Sequence, residues 1–344
     1  MSSQTVFRLT SKGIEGLQAS KEPIPTIDKY EVLVKVRSVA LNQRDVAIAT
    51  STYPLPVKDN LIPCSDMAGE VVQVGDAVHN FAVGDAVIAA NNPEYQFGVM
   101  KDTSSAFGGL QDGLLREYVS VPAYGLIKLP KSSHDFTQWA ALVQAGTTAW
   151  NALYGNAPLK AGDTVLLMGT GGISLVALIF AKAAGATTII TSSSDEKLAR
   201  ARSEFGADYT INYTTHPNWA AEVQRITNGQ GANHILDIGG SGTIAQSLES
   251  VALGGVISVI GFLSFASQED MPNVAMMSIV RGCVIRGIQS GSKQQLEEAV
   301  RFMGTRELKM PVDKTFAFDR EGIIAGLNFV ASGKHIGKVC INLD

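Results

Sequence analysis

The sequence predicts an α/β protein, in which a doubly wound parallel sheet is attached to a mostly-β domain. Three observations carry that expectation. Apolar strands alternate with helical patterns from about Asp163 onward, a glycine-rich turn sits at the first strand–helix junction, and short alternating strands fill the chain before Pro130.

The alternating half has apolar runs at 164–169, 187–191, 209–212, 234–238, 256–261 and 283–288. Such unbroken runs suit a parallel sheet covered on both faces. Helical patterns separate the first five, at 174–185, 195–206, 217–229 and 242–255, and each ends in glycine, a common helix stop. The first part reads differently: EVLVKVRSVAL (31–41), GEVVQVG (69–75), DAVIAA (85–90) and REYVSV (116–121) are β-branched and punctuated by Gly84, Pro122 and Pro130. Residues 91–113 are irregular. The tail predicts helices at 292–304 and 321–333 and a last strand at 337–343, which can rejoin the first domain.

Composition excludes several classes of function. The chain has 344 residues, 45% hydrophobic and 17% charged, with a formal net charge of −4. There is no basic footprint for nucleic acid and no cationic block for a membrane surface. The most apolar stretch, Ile173 to Ala186, is interrupted by Lys182 and is too short to span a bilayer. Cys64, Cys283 and Cys340 are odd in number and widely spaced, unlike a disulfide framework, and no secretory signal opens the chain. A cytoplasmic protein is expected.

The strongest motif is Gly169-Thr170-Gly171-Gly172-Ile173-Ser174, after an apolar strand and opening an apolar helix. Glycines there allow a tight turn and close approach of backbone to a pyrophosphate, which the helix N-terminus then attracts. This is the context of a Rossmann dinucleotide site, with Ser174 in place of the third glycine. An NAD site usually carries an acid at the end of the second strand, about 20 residues on. Ser192 and Ser193 stand there instead, with Lys197 nearby. Hydroxyls and a cation suit a ribose 2′-phosphate, so NADPH is favoured over NADH. Asp195 offers the other outcome, since it could hold the ribose of NADH. Ser194 or Asp195 can also simply cap the next helix.

With EVLVKVRSVALNQRD (31–45), IPCSDMAGEVVQVGDAV (62–78), FAVGDAV (81–87), AGTTAWNAL (145–153), LKAGDTVLLMGTGGIS (159–174) and GADYTINY (206–213) in this order, the chain resembles the medium-chain dehydrogenase/reductase superfamily. The resemblance implies a GroES-like mostly-β catalytic domain, residues 1–130 and 289–344, interrupted by a Rossmann domain, residues 131–288, with the cofactor in the cleft. It further implies a homodimer joined through the last Rossmann strand, about Val284–Ile288. At the positions where zinc members carry catalytic ligands stand Asn42, Ser65 and Gln144, which are poor zinc ligands. The cysteines of a structural-zinc lobe are absent from 91–113, and His79, His134, His216, His234 and His335 form no ligand pair. The chain therefore resembles the zinc-free, quinone oxidoreductase-like branch.

That branch implies that Lys197 and Tyr213 flank the adenosine 2′-phosphate and that Asn42 and Thr148 lie near the nicotinamide. Tyr53 follows Asn42 at the interval of the tyrosine acid in the family's enoyl-thioester reductases. Arg44 stands where zinc members carry a Ser or Thr proton relay, able to bind a polar substrate group or to pair with a carboxylate. The expected activity is hydride transfer from NADPH to an activated C=C of a small electrophile, an enone, enal or quinone. The alternatives are a zinc-free alcohol dehydrogenase or carbonyl reductase, and an NADPH-binding structural or sensing protein with little turnover.

Overall fold

A computed structural model describes residues 2–343, which divide into two compact units, Met1–Thr147 with Ser292–Asp344, and Thr148–Gly291. The first unit opens with the antiparallel pair β1 (Ser3–Leu9) and β2 (Leu17–Pro23). There follow β3 (Glu31–Leu41), α1 (Gln43–Ala49), β4 (Asp66–Val74), β5 (Ala86–Ala89), β6 (Tyr118–Pro122), β7 (Leu126–Lys128) and α2 (Phe136–Tyr154), within which the division falls. No strand or helix interrupts residues 91–113 among the described residues; Phe107 and Gln111 form an isolated bridge there.

The second unit contains β8 (Thr164–Met168), α3 (Gly172–Ala183), β9 (Thr187–Ser192), α4 (Asp195–Phe205), β10 (Tyr209–Asn212), α5 (Trp219–Ile226), β11 (Ala232–Asp237), α6 (Ile244–Ser250), β12 (Val251–Val259), α7 (Val274–Arg281) and β13 (Val284–Gly287). Its six-stranded parallel sheet has the order β10-β9-β8-β11-β12-β13, the doubly wound order of a Rossmann domain. The core is formed by Leu166, Ile189, Ile235 and Ile257 from the strands, with Val223 and Leu248 from the helices. The chain then returns to the first unit as α8 (Lys293–Arg306), β14 (Val312–Ala317), α9 (Arg320–Ala331) and β15 (Lys338–Asn342). There β15 pairs antiparallel with β3, so the tail completes the seven-stranded sheet β14-β15-β3-β4-β5-β7, with β6 on β3 off that path. The predicted α/β class, a GroES-like unit interrupted by a Rossmann sheet, is the fold observed.

Local departures have physical causes. The pattern at 242–255 predicts one helix, but α6 stops at Ser250 and β12 begins at Val251. The strand carries an irregularity: Ala232 pairs with Val251 and His234 with Val256, so the extra residues bulge out around exposed Leu253 and Gly254. Gly254 has φ +74°, which ends any helix there. Three helices lie where none is read from the sequence, α1 inside the β-rich part, α2 before the first Rossmann strand and α7 before the last.

One buried acid organises the end of β11. Asp237 is fully buried and accepts from Gly239 N (3.0 Å), Gly240 N (2.9 Å), Thr243 Oγ1 (2.6 Å) and Ser247 Oγ (2.7 Å). It ties the loop after β11 to α6. Asp237→Ala leaves these donors without their acceptor and is expected to cost about 3 kcal/mol, with Asp237→Asn intermediate. Urea unfolding midpoints of the three proteins check this; equal midpoints contradict it.

Candidate functional site

In the second unit the predicted nucleotide residues gather at the carboxyl ends of neighbouring strands. Gly169, with φ +71°, turns the chain out of β8, and Gly171 is the N-cap of α3. An added Cβ at Gly171 meets nothing within 4 Å, so open space faces this backbone, as a diphosphate cradle needs. No side chain caps α3, whereas Ser194, Asn218, Ser292 and Asp319 cap α4, α5, α8 and α9. Gly172 and Ile173 form its first turn, whose N–H groups lack partners within the helix. Ser174 is buried and donates to Met168 O (2.6 Å), pinning α3 to β8 where a third glycine is usual.

Met168 pairs with Thr191, and Ser192 with Asn212, so the ends of β8, β9 and β10 adjoin. Ser192 is buried and its Oγ accepts from Ser194 N (3.3 Å), while Ser193 is exposed. Lys197, in the first turn of α4, is half-buried and its N–H is taken by the Ser194 cap (3.3 Å). Tyr213 donates its N–H to Ser192 O (3.1 Å) and exposes its ring. Asp195, the acid that could serve NADH, accepts from Asn212 Nδ2 (2.7 Å). Thr148 is buried on α2.

The first unit holds the other predicted residues around α1. Arg44 donates to Phe107 O (2.9 Å) and Gly108 O (3.1 Å), and its guanidinium lies 5.6 Å from the Tyr53 ring centroid. It pairs with carbonyls rather than with a carboxylate, holding the irregular loop to α1. Tyr53 is half-buried over it.

Beside them lies a polar cluster that sequence reasoning missed in part. Asp66 is fully buried and accepts from Asn42 Nδ2 (3.0 Å), Ser65 Oγ (2.7 Å) and Gln144 N (3.2 Å). Lys338, only 3% exposed, pairs with Asp66 (3.5 Å) and donates to Asn42 Oδ1 (2.7 Å) and Leu41 O (3.0 Å). Asn91 Nδ2 donates to Gln144 Oε1. The signal for Lys338 was a lysine opening an otherwise apolar last strand.

The three zinc-ligand positions of the resemblance, Asn42, Ser65 and Gln144, thus all meet Asp66. Amide and hydroxyl groups bonded to a Lys–Asp pair do not fit zinc, which takes thiolate, imidazole or carboxylate donors. Cys64 does not supply one. Burial, then the nearby Asp45 and Asp66 carboxylates, push its thiol well above the ordinary range. Its φ of +71° is the left-handed conformation that usually selects glycine. Among the described residues no group of three His, Cys, Asp or Glu side chains is placed to hold a metal.

An α/β dinucleotide fold joined to a GroES-like β unit is the architecture of a class of nicotinamide-dependent oxidoreductases. Residues 28–131 match the alcohol dehydrogenase GroES-like domain and residues 172–305 the zinc-binding dehydrogenase domain. The chain is 39% identical over 340 residues, 96% of each protein, to a zinc-type alcohol dehydrogenase-like protein of Schizosaccharomyces pombe. It is 28% identical over 93% of its length to a quinone oxidoreductase-like protein 2 homolog of Nematostella vectensis, covering 86% of that protein. A solved structure of an NAD-dependent alcohol dehydrogenase superposes with a TM-score of 0.87 at 28% identity, covering 99% of this chain and all of that one. The chain belongs to the medium-chain dehydrogenase/reductase superfamily. No helix among the described residues is long and apolar enough to cross a membrane.

Asp45, at the third position of α1, gives the cluster a pH signature. It is 1% exposed; Oδ2 accepts from Asn42 N (2.8 Å) and Oδ1 has no hydrogen-bond partner. Burial raises its pKa to about 6, partly opposed by the Arg44 charge. A carboxyl raised on folding binds more protons folded than unfolded between about pH 4 and pH 6. Its contribution therefore falls as pH rises through that window, by about 3 kcal/mol. Asp45→Asn is expected to gain stability relative to wild type between about pH 4 and about pH 7. Urea midpoints of both proteins at each pH test it; parallel pH curves exclude the effect.

Proposed function

We propose that the chain is a zinc-independent, NADPH-dependent reductase that transfers hydride to the activated C=C of an enone, enal or quinone, working in the cytoplasm as a homodimer. The observation that carries this reading is the donor set at Asn42, Ser65 and Gln144, whose polar atoms are engaged with Asp66, Lys338 and Asn91 in a pattern unsuited to zinc. Reduced nicotinamide, when bound, supplies the hydride; the chain holds the nucleotide and manages charge.

The Gly169–Ile173 turn and the uncapped start of α3 grip the diphosphate. Ser193, Lys197 and Tyr213 receive the 2′-phosphate, and Asn42 and Thr148 lie near the nicotinamide end. Asp195 Oδ1 accepts from Asn212 Nδ2, a bond that draws this carboxylate toward the end of β10. Tyr53 is the proton donor, and Arg44, stacked beneath it, fixes its ring. The homodimer reading rests on β13, an edge strand of its sheet, beside the exposed apolar side chains of Ile279, Val280 and Val284. Reduction of C=O is the second reading, favoured by the alcohol dehydrogenase names of the relatives.

Ser193→Asp places a carboxylate against the 2′-phosphate. It is expected to weaken NADPH roughly tenfold or more while changing NADH little. Fluorescence titration with both nucleotides measures this, and an unchanged preference removes Ser193 from the phosphate site. Turnover of one enone separates the two reactions: a saturated ketone supports C=C reduction, an allylic alcohol C=O reduction. The rate is expected to survive chelators, and Tyr53→Phe to lower it about 100-fold. Loss of activity on chelation overturns the zinc-free reading.

A further inference from the structure

We propose that Lys338 is a positioning residue that fixes the Asn42 amide so that its second Nδ2 hydrogen is offered to the carbonyl oxygen of the substrate. This rests on the C=C reductase reading above.

The geometry leaves Asn42 one orientation. Its Oδ1 accepts from Lys338 Nζ (2.7 Å), and one Nδ2 hydrogen goes to Asp66 Oδ2 (3.0 Å). Exchange of the amide's ends would set Nδ2–H against an ammonium, donor against donor, and a carbonyl oxygen against a carboxylate. Lys338 is itself held from three sides, by Leu41 O, Asn42 Oδ1 and Asp66, at the first residue of β15. Gly337, with φ +83° and an added Cβ only 2.1 Å from Pro311 O, admits no larger residue just before it. Lys338 is therefore placed by the sheet.

An amide needs two hydrogen acceptors, and only one is present for Asn42 among the described residues. Its residue is half-exposed, unlike the buried Ser65, Asp66 and Lys338. The remaining Asn42 N–H is thus a donor that a ligand can take. In conjugate reduction, a hydride, which reduced nicotinamide would supply, makes the new C–H bond at the β-carbon. The π electrons move to the carbonyl oxygen, and the α-carbon later takes a proton. A donor fixed beforehand at that oxygen stabilises the developing charge without reorganisation. Such a donor performs there what a bound cation does elsewhere, and amide and lysine are the groups that this chain supplies.

The test uses the full chain, NADPH and 2-cyclohexen-1-one with a ¹³C-labelled carbonyl. Isotope-edited infrared spectra of the enone bound with oxidised nucleotide report the hydrogen bond without turnover. Lys338→Met and Asn42→Asp are expected to shift the bound carbonyl band to higher wavenumber and to lower kcat about 100-fold. Nucleotide affinity of Lys338→Met is expected to stay within roughly twofold of wild type, and Lys338→Arg to recover part of both effects. If Lys338→Met does not fold, Asn42→Asp, which keeps an oxygen for Lys338, decides the matter. A folded Lys338→Met protein with an unmoved band overturns the inference, and so does one that loses nucleotide affinity instead. A wild-type protein that neither binds nor reduces the enone removes the function proposed above, and this inference with it.

Discussion

The Asp66–Lys338 pair is the interaction on which the first unit depends. Both groups are almost wholly removed from water. A buried ion pair gains little over an apolar pair of the same shape, but losing one partner strands a charge at a cost of roughly 3–5 kcal/mol. The pair therefore acts as a constraint on geometry. Asp66 opens β4, Lys338 opens β15, Leu41 ends β3, and Gln144 lies on α2. Segments far apart in sequence can satisfy these groups only in the observed arrangement, with the tail strand seated beside β3. The same bonds fix the amide of Asn42, so fold and site share one set of contacts.

The Rossmann unit is organised on another principle. Its strands are apolar and its functional groups are mainly backbone. Gly169, Gly171 and Gly172 contribute absence of bulk, and α3 contributes unpaired N–H groups. The acid that could compete, Asp195, is held by Asn212. Buried Asp237 performs the structural task of closing a loop onto a helix, drawing its donors from a single short segment. Local hydrogen bonding suffices there, whereas the Asp66 cluster needs residues from four elements.

This difference explains what could be read from sequence. The order of strands and helices, the glycine turn and the serine-rich end of β9 follow from periodicity and residue type within short windows. The bulge in β12 was illegible because Leu253 and Gly254 leave the register while the flanking residues keep a helical pattern. Helix α1 was masked by its length and by its setting among strands. Asn42, Ser65 and Gln144 could be aligned as ligand positions, but their common partner Asp66 could not be deduced. Lys338 was further still, since only the pairing of β15 with β3 brings it there. For Arg44 the sequence offered a polar substrate group or a carboxylate partner, and in the structure carbonyls of the irregular loop stand in place of the carboxylate.

The relatives' names and the site's chemistry pull in different directions, and the residues decide how to weigh them. A profile named for zinc-binding dehydrogenases covers residues 172–305, which lie outside the Asn42, Ser65 and Gln144 positions. Its match therefore speaks for the ancestry of the nucleotide fold and carries no information about ligands in the other unit. Ligand chemistry has to be argued where the ligands would stand, and there the nitrogen and oxygen donors are neutral and engaged with one another. A Lys–Asp pair supplies fixed positive and negative ends but no vacant orbital. Such a site can orient an amide donor toward a carbonyl oxygen, a role that needs position more than Lewis acidity. On the reading proposed above, the arrangement serves hydride delivery to an already polarised C=C, where no O–H proton has first to be removed.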